Sequence, residues 1–121
     1  MGKRGKYFTD EEFACKCGCG KADVSSDLVN RLDQLREDIG RPITIASGFR
    51  CDKHNASEGG VSGSAHTLGL AVDIKISSGQ ERFEVLAKVL RGFLFKRIGV
   101  AKTFIHVDID ESKPQTVVWT Y

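Results

Sequence analysis

The sequence predicts an α+β domain, in which a small antiparallel sheet packs against two main helices. Three observations lead there. Two well-separated stretches carry apolar residues at helical spacing, several short runs alternate apolar and polar residues, and the chain reads helix, strands, helix, strands. With 121 residues there is room for one domain with a buried core and little room for a second, so a single domain over 1–121 is expected.

In chain order, Lys3, Arg4 and Lys6 form a basic cluster, and residues 1–7 are expected to be a flexible, solvated tail able to favour encounter with an anionic polymer. Thr9-Asp10-Glu11-Glu12 has the pattern of a capping box and opens a short helical turn that carries Phe13. Cys15-Lys16-Cys17-Gly18-Cys19-Gly20 is a loop or tight turn. The first long helix is capped by Ser25 or Ser26 and has Asp27 in its first turn. It buries Leu28, Leu32, Leu35 and Ile39, and it stops at Gly40 before Arg41-Pro42. Residues 43–47 alternate as a half-buried strand does. The glycine- and serine-rich run 48–69 follows as a long loop of the kind that is usually functional or disordered. Residues 70–76 make a second strand. A helix over 79–96 is expected to turn Phe83, Leu86, Ala87, Leu90 and Leu94 inward, and strands are expected at 103–109 and 116–121.

Composition narrows the function. An apolar fraction of 40% with 28% charged residues is that of an ordinary globular protein, and a net charge of +2 is too small to argue for nucleic acid. No pair of histidines has finger spacing. No stretch approaches the roughly 18 apolar residues of a membrane span. Positive charge near the start is not followed by an apolar segment, so synthesis in the cytoplasm without a secretory signal is expected.

The chemistry lies in the strands. In 70–76, Leu70, Val72, Ile74 and Ile76 share one face and Asp73 lies on the other beside the small Ala71. In 103–109, Ile105, Val107 and Ile109 share the apolar face, which leaves His106 and Asp108 together on the opposite one. His66 stands seven residues before Asp73 at the end of the glycine-rich loop, within reach of the same face. Two histidines and a carboxylate, with one coordination position left open, make a standard catalytic zinc set, although such residues in strands also serve as hydrogen-bonded structural groups. His54 lies in a polar segment and is expected to be an exposed or loop-capping residue.

Ser64-Ala65-His66-Thr67-Leu68-Gly69-Leu70-Ala71-Val72-Asp73 resembles the S-x-H-x-x-G-x-A-x-D signature of the zinc D-alanyl-D-alanine carboxypeptidase family, relatives of the vancomycin-resistance dipeptidases and of several phage endolysins. Ser47-Gly48-Phe49-Arg50 is similar to that family's S-G-[YF]-R segment. Asn55 and Gly59-Gly60 fall where related sequences place an Asn and paired glycines, and Phe104-Ile105-His106-Val107-Asp108 resembles the segment that supplies the last ligand. The resemblance runs from about Phe8 to Asp110. It implies a fold like that of the peptidases and of the hedgehog signalling domain, with one catalytic zinc on His66, Asp73 and His106. Arg50 would face the substrate carbonyl or carboxylate, and Ser64 would contact substrate or fix a neighbouring ligand, unless its hydroxyl only stabilises a turn.

Many relatives place an acid three positions before the last histidine, where this chain has Thr103. Asp108 is the substitute candidate for the proton shuttle, with orientation of a ligand as its other role, and Glu58 and Glu111 remain open. The function implied is hydrolysis of peptidoglycan stem peptides, as carboxypeptidase or endopeptidase. The expected setting is a monomeric bacteriophage endolysin that degrades the cell wall after release through a holin. The alternative is a non-catalytic zinc-binding module for cell-wall or protein interaction, as in hedgehog proteins, which the missing acid at 103 keeps open.

Cys15, Cys17, Cys19 and Cys51 are the four cysteines. They admit reduced structural thiols, disulfides or a second, cysteine-bound zinc. The zinc ranks last, because C-x-C-x-C is not the usual C-x-x-C knuckle.

Overall fold

The computed structural model describes residues 2–60 and 63–121, so residue 1 of the expected tail and residues 61–62 of the expected loop lie outside it. The elements follow as β1 (Lys3–Arg4), β2 (Phe8–Thr9), α1 (Asp10–Phe13), α2 (Ser26–Ile39), β3 (Ile45–Ser47), α3 (Asp52–Ser57), β4 (Ala71–Lys75), α4 (Gly79–Gly92), β5 (Arg97–Val100), β6 (Phe104–Asp108) and β7 (Val117–Thr120). The main sheet has the order β3-β4-β6-β5-β7. Its pairs are antiparallel except β5–β7, which is parallel. The fold is α+β, as the sequence predicts, with α2 and α4 as its two main helices.

The basic start of the chain is tied down where a loose tail was expected. Lys3 and Arg4 pair with Thr9 and Phe8 in a small hairpin. Arg4 Nε donates to Asp10 at 2.6 Å, and its guanidinium also reaches the carbonyls of Ala22 and Val24. Lys6 Nζ pairs with Glu37 at 2.6 Å. Basic side chains that meet carboxylates and carbonyls of a neighbouring helix and loop dock the segment, which composition alone does not reveal.

Helix α2 forms as its sequence dictates. Ser25 Oγ accepts from the Asp27 N–H at 3.2 Å, and Gly40, with φ 81°, closes the other end by donating to the Arg36 carbonyl. Leu28, Leu32 and Leu35 on its inward stripe are fully buried, each contributing about 1.5–3 kcal/mol from removal of apolar surface from water. They meet Val72, Ile74, Ile76, Ile105 and Val107 from the sheet's apolar face, the residues that period-two alternation points inward.

Helix α4 departs from the expected phase. Val85 and Val89 are its buried residues and Leu86 and Leu94 pack against the core, whereas Phe83 is 75% exposed and Leu90 52% exposed. The helix also ends at Gly92 rather than 96, because Phe93 takes a left-handed conformation (φ 50°) and the chain turns into β5. The run 48–69 is not structureless either: Cys51 opens α3 within it, its Sγ accepting from the His54 N–H.

Candidate metal centre

Sheet register assembles the site. Ser47 pairs with Asp73, Asp73 with His106, His106 with Gly99 and Gly99 with Trp119, so one row of residues crosses all five strands. Apolar residues fill the face below this row. The face above it opens into a cleft of about 750 Å³, lined among others by Arg50, Glu58, Ser64, Arg97 and Lys113. His66 reaches the same face from a turn. Ser64 Oγ accepts from the His66 N–H at 3.3 Å, and the Thr67 hydroxyl donates to the Ser64 carbonyl at 2.6 Å. Gly69 in the signature, at φ 73°, lies so close to the Asp23 carbonyl that a Cβ would come within 1.9 Å of its oxygen.

His66, Asp73 and His106 are all buried, and each offers one ligand atom within 4.8 Å of the others. Both imidazoles are oriented from behind. His66 Nδ1 lies 2.8 Å from the Gly48 carbonyl, which can only accept, so Nδ1 carries the proton and Nε2 turns its lone pair to the site. His106 Nε2 donates to Asp108 Oδ2 at 2.7 Å, which leaves Nδ1 inward. Asp73 Oδ1 then stands 3.3 Å from His66 Nε2 and 3.1 Å from His106 Nδ1. Three electron-pair donors converging in a buried place need a cation or protons between them. Borderline nitrogen and oxygen donors with an open side fit a divalent zinc.

Without a metal the electrostatics show the same demand. Burial opposes the imidazolium of His106, but its hydrogen bonds to Asp108 and Asp73 prevail and raise its pKa above the ordinary histidine value. Burial likewise opposes the Asp73 carboxylate, yet His106 and His66 hold it well below the usual carboxylate range.

The other sequence candidates fall as follows. Arg50 lines the cleft, with Nε donating to Ser47 Oγ at 3.1 Å and an Nη to Asp73 Oδ2 at 3.3 Å. Asp108 is 1% exposed and has both oxygens engaged, Oδ2 by His106 and Oδ1 by Arg97 Nε at 2.8 Å and by the Asp110 N–H at 3.1 Å. Glu58 lines the cleft and is exposed, while His54, expected to be exposed or loop-capping, is half-buried in α3 and is not among the residues that line the cleft.

Sequence reasoning missed Arg97 and Trp119. The Arg97 guanidinium stacks 5.0 Å from the Trp119 ring centroid, and the indole lies 5.4 Å from the His106 ring. Gly99 makes room for it, since a Cβ there would lie 2.6 Å from Trp119 Nε1. The glycine inside the run Arg97–Val100 and the single tryptophan were the available signals, but their pairing across β5 and β7 is visible only in the structure.

A His–His–carboxylate set on the floor of a cleft is the kind of centre that metal-dependent hydrolases use. The family model described as Peptidase M15 matches residues 6–108. The chain belongs to this peptidase family, and is therefore a zinc-dependent metallopeptidase. No curated protein matches it.

Proposed function

We propose that this peptidase cleaves peptidoglycan stem peptides, with zinc held by His66 Nε2, Asp73 and His106 Nδ1. The observation that carries the reading is the convergence on one open cleft of Asp73, His106 and Trp119 from the row across the sheet with His66 and Arg50 from the adjoining loops. When bound, zinc supplies a Lewis acid for a carbonyl oxygen and makes water acidic enough to ionise near neutral pH. The chain's own residues supply the rest. Arg50 presents a guanidinium beside Asp73, able to pair with the scissile carbonyl or with a terminal carboxylate. Arg97 and Lys113 also line the cleft, held in ion pairs with Asp108 and Asp110, and Trp119 and Tyr121 give its body an apolar surface. Ser64 holds the turn that aims His66.

Asp108 is the orienting partner of His106, since its oxygens are occupied and hidden from the cleft's solvent. The proton carrier is then Glu58, the cleft-lining carboxylate that holds neither histidine. Glu58→Gln should lower kcat by about 10²–10⁴ with zinc retained. A variant with undiminished kcat would return the role to Asp108.

Removal of a terminal D-alanine and endopeptidase cleavage both fit the open cleft. The reading places a monomer at the bacterial cell wall as a phage endolysin delivered through a holin. Among the described residues no helix is long and apolar enough to cross a membrane. Incubation with defined stem peptides, followed by mass spectrometry of the fragments, tests the proposal and identifies the bond. Zinc-dependent release of a D-alanine or a peptide fragment supports it. Intact peptides in the presence of zinc-loaded protein would overturn the stem-peptide assignment.

A further inference from the structure

A second donor cluster lies outside the cleft. Cys15, Cys17, Cys19 and Cys51 bring their sulfurs within 4.8 Å of one another, although Cys51 is far from the others in sequence. The separations are 3.3 Å for Cys15–Cys17, 3.7 Å for Cys15–Cys51 and 3.6 Å for Cys17–Cys51. A tetrahedron of sulfurs about 2.3 Å from a central zinc has edges of about 3.8 Å. A disulfide instead brings two sulfurs to about 2.05 Å and leaves other pairs apart. All four cysteines here are free thiols, gathered as a tetrad rather than as two pairs.

The loop is shaped to do this. Gly18 and Gly20 adopt φ of 87° and 81°, which lets three alternate residues of a C-x-C-x-C run curl toward one point. The Cys15 N–H donates to the Lys21 carbonyl at 2.7 Å and closes the loop. From the other side, the Cys51 N–H donates to Cys15 Sγ and the His54 N–H to Cys51 Sγ, each at 3.4 Å. Backbone N–H groups aimed at sulfur favour thiolates over thiols.

We propose that Cys15, Cys17, Cys19 and Cys51 form a second, structural metal site that binds zinc through four thiolates. Four soft donors with no oxygen or nitrogen ligand select zinc or another thiophilic ion over magnesium or calcium. Binding one Zn²⁺ converts four S–H groups to Zn–S bonds and releases four protons to solvent, with no change of oxidation state.

The site clips the N-terminal segment to the segment that carries Arg50. The two already meet, since the Phe49 N–H donates to the Phe13 carbonyl at 2.9 Å and Gly48 lies directly on the Phe13 backbone. Gly48 is also the residue whose carbonyl orients His66, and the Arg50 N–H donates to the His66 carbonyl at 3.2 Å. A metal on the cysteines thereby anchors both the cationic residue of the cleft and the backbone behind one histidine. It is a structural clip, and its presence does not depend on which bond the peptidase cuts.

The test is metal content and spectroscopy of the full chain, purified under reducing conditions. The wild type should hold two zinc ions, Asp73→Ala one, and Cys17→Ser/Cys19→Ser one. Cobalt bound to Asp73→Ala should give the intense near-ultraviolet thiolate-to-cobalt charge-transfer band, which cobalt bound to the double cysteine variant should lack. Zinc-free Asp73→Ala without that band would overturn the proposal, as would cysteines recovered as two disulfides from a reduced preparation. Failure of the histidine site looks different: wild type and Asp73→Ala would then each hold one thiolate-bound ion.

Discussion

The chain carries two clusters of metal donors, and they are built in opposite ways. The histidine–aspartate cluster stands mainly on strands, where β4 and β6 pair in register and set Asp73 opposite His106. Each of its histidines is held from behind by a carbonyl or a carboxylate. The cysteine cluster stands on a glycine-rich loop and the start of a short helix, with Cys17 and Cys19 exposed. The sheet therefore fixes its donors by strand register and leaves one side open to a cleft. The loop gathers sulfur until no donor type but sulfur is present. The first plan suits catalysis, which needs an open position; the second suits a closed structural site.

Four substitutions break or sharpen that contrast. The largest effect belongs to Asp73→Ala, which removes one of the proposed ligands. Zinc affinity at the sheet site should fall by more than the roughly 10- to 100-fold that outlying partners cost, and peptidase activity should be lost, as equilibrium dialysis and a cleavage assay would show. Asp108→Asn comes next. As the group that aligns His106, it should weaken zinc binding by about 10- to 100-fold, with activity recovering as zinc is raised. Lost turnover at full zinc occupancy would instead mark Asp108 as the proton shuttle.

Gly99→Ala tests whether the parallel β5–β7 pair shapes the cleft. Its Cβ would press on the Trp119 ring at 2.6–2.9 Å, so the indole must shift from its place beside His106. Overpacking of this kind costs about 1–3 kcal/mol, readable as a lower midpoint in denaturant, along with a change in tryptophan fluorescence.

The last concerns the loop after β6. Burial opposes the Asp110 carboxylate, but Lys113 and Ser112 prevail and hold its pKa at about 2. A carboxyl depressed in the folded state stabilises above its unfolded value near 3.9 and loses that contribution as pH falls toward 2. Asp110→Asn should thus cost about 1–3 kcal/mol at neutral pH in urea unfolding. The gap from wild type should shrink between about pH 4 and pH 2.

How much of this the sequence revealed follows the same division. Asp73, His106 and Asp108 could be assigned a shared face because strict alternation in β4 and β6 admits one buried side, and Val72, Ile74, Ile105 and Val107 occupy it. Helix α2 was legible for a similar reason, since its leucines and both caps agree. Helix α4 was not. Its largest apolar residues, Phe83 and Leu90, drew the stripe toward solvent, while the buried positions are the smaller Val85 and Val89. Strand β5 went unseen because a helix drawn to 96 covered its approach, and with it went Arg97, the partner of Asp108. Spacing alone ranks a metal on the cysteines low, because spacing carries no information about the left-handed turns at Gly18 and Gly20. Local periodicity reports strands and helices, whereas convergence of loops depends on backbone angles that the pattern of residue types does not record.

The central claim is that one zinc ion sits on the face of the sheet among His66, Asp73 and His106. Crystals of the zinc-loaded chain, measured at the zinc absorption edge, test it directly. The account predicts an anomalous peak about 2.0–2.2 Å from His66 Nε2, an Asp73 carboxylate oxygen and His106 Nδ1. A well-folded, zinc-saturated crystal with anomalous density elsewhere and none among those three side chains would contradict it.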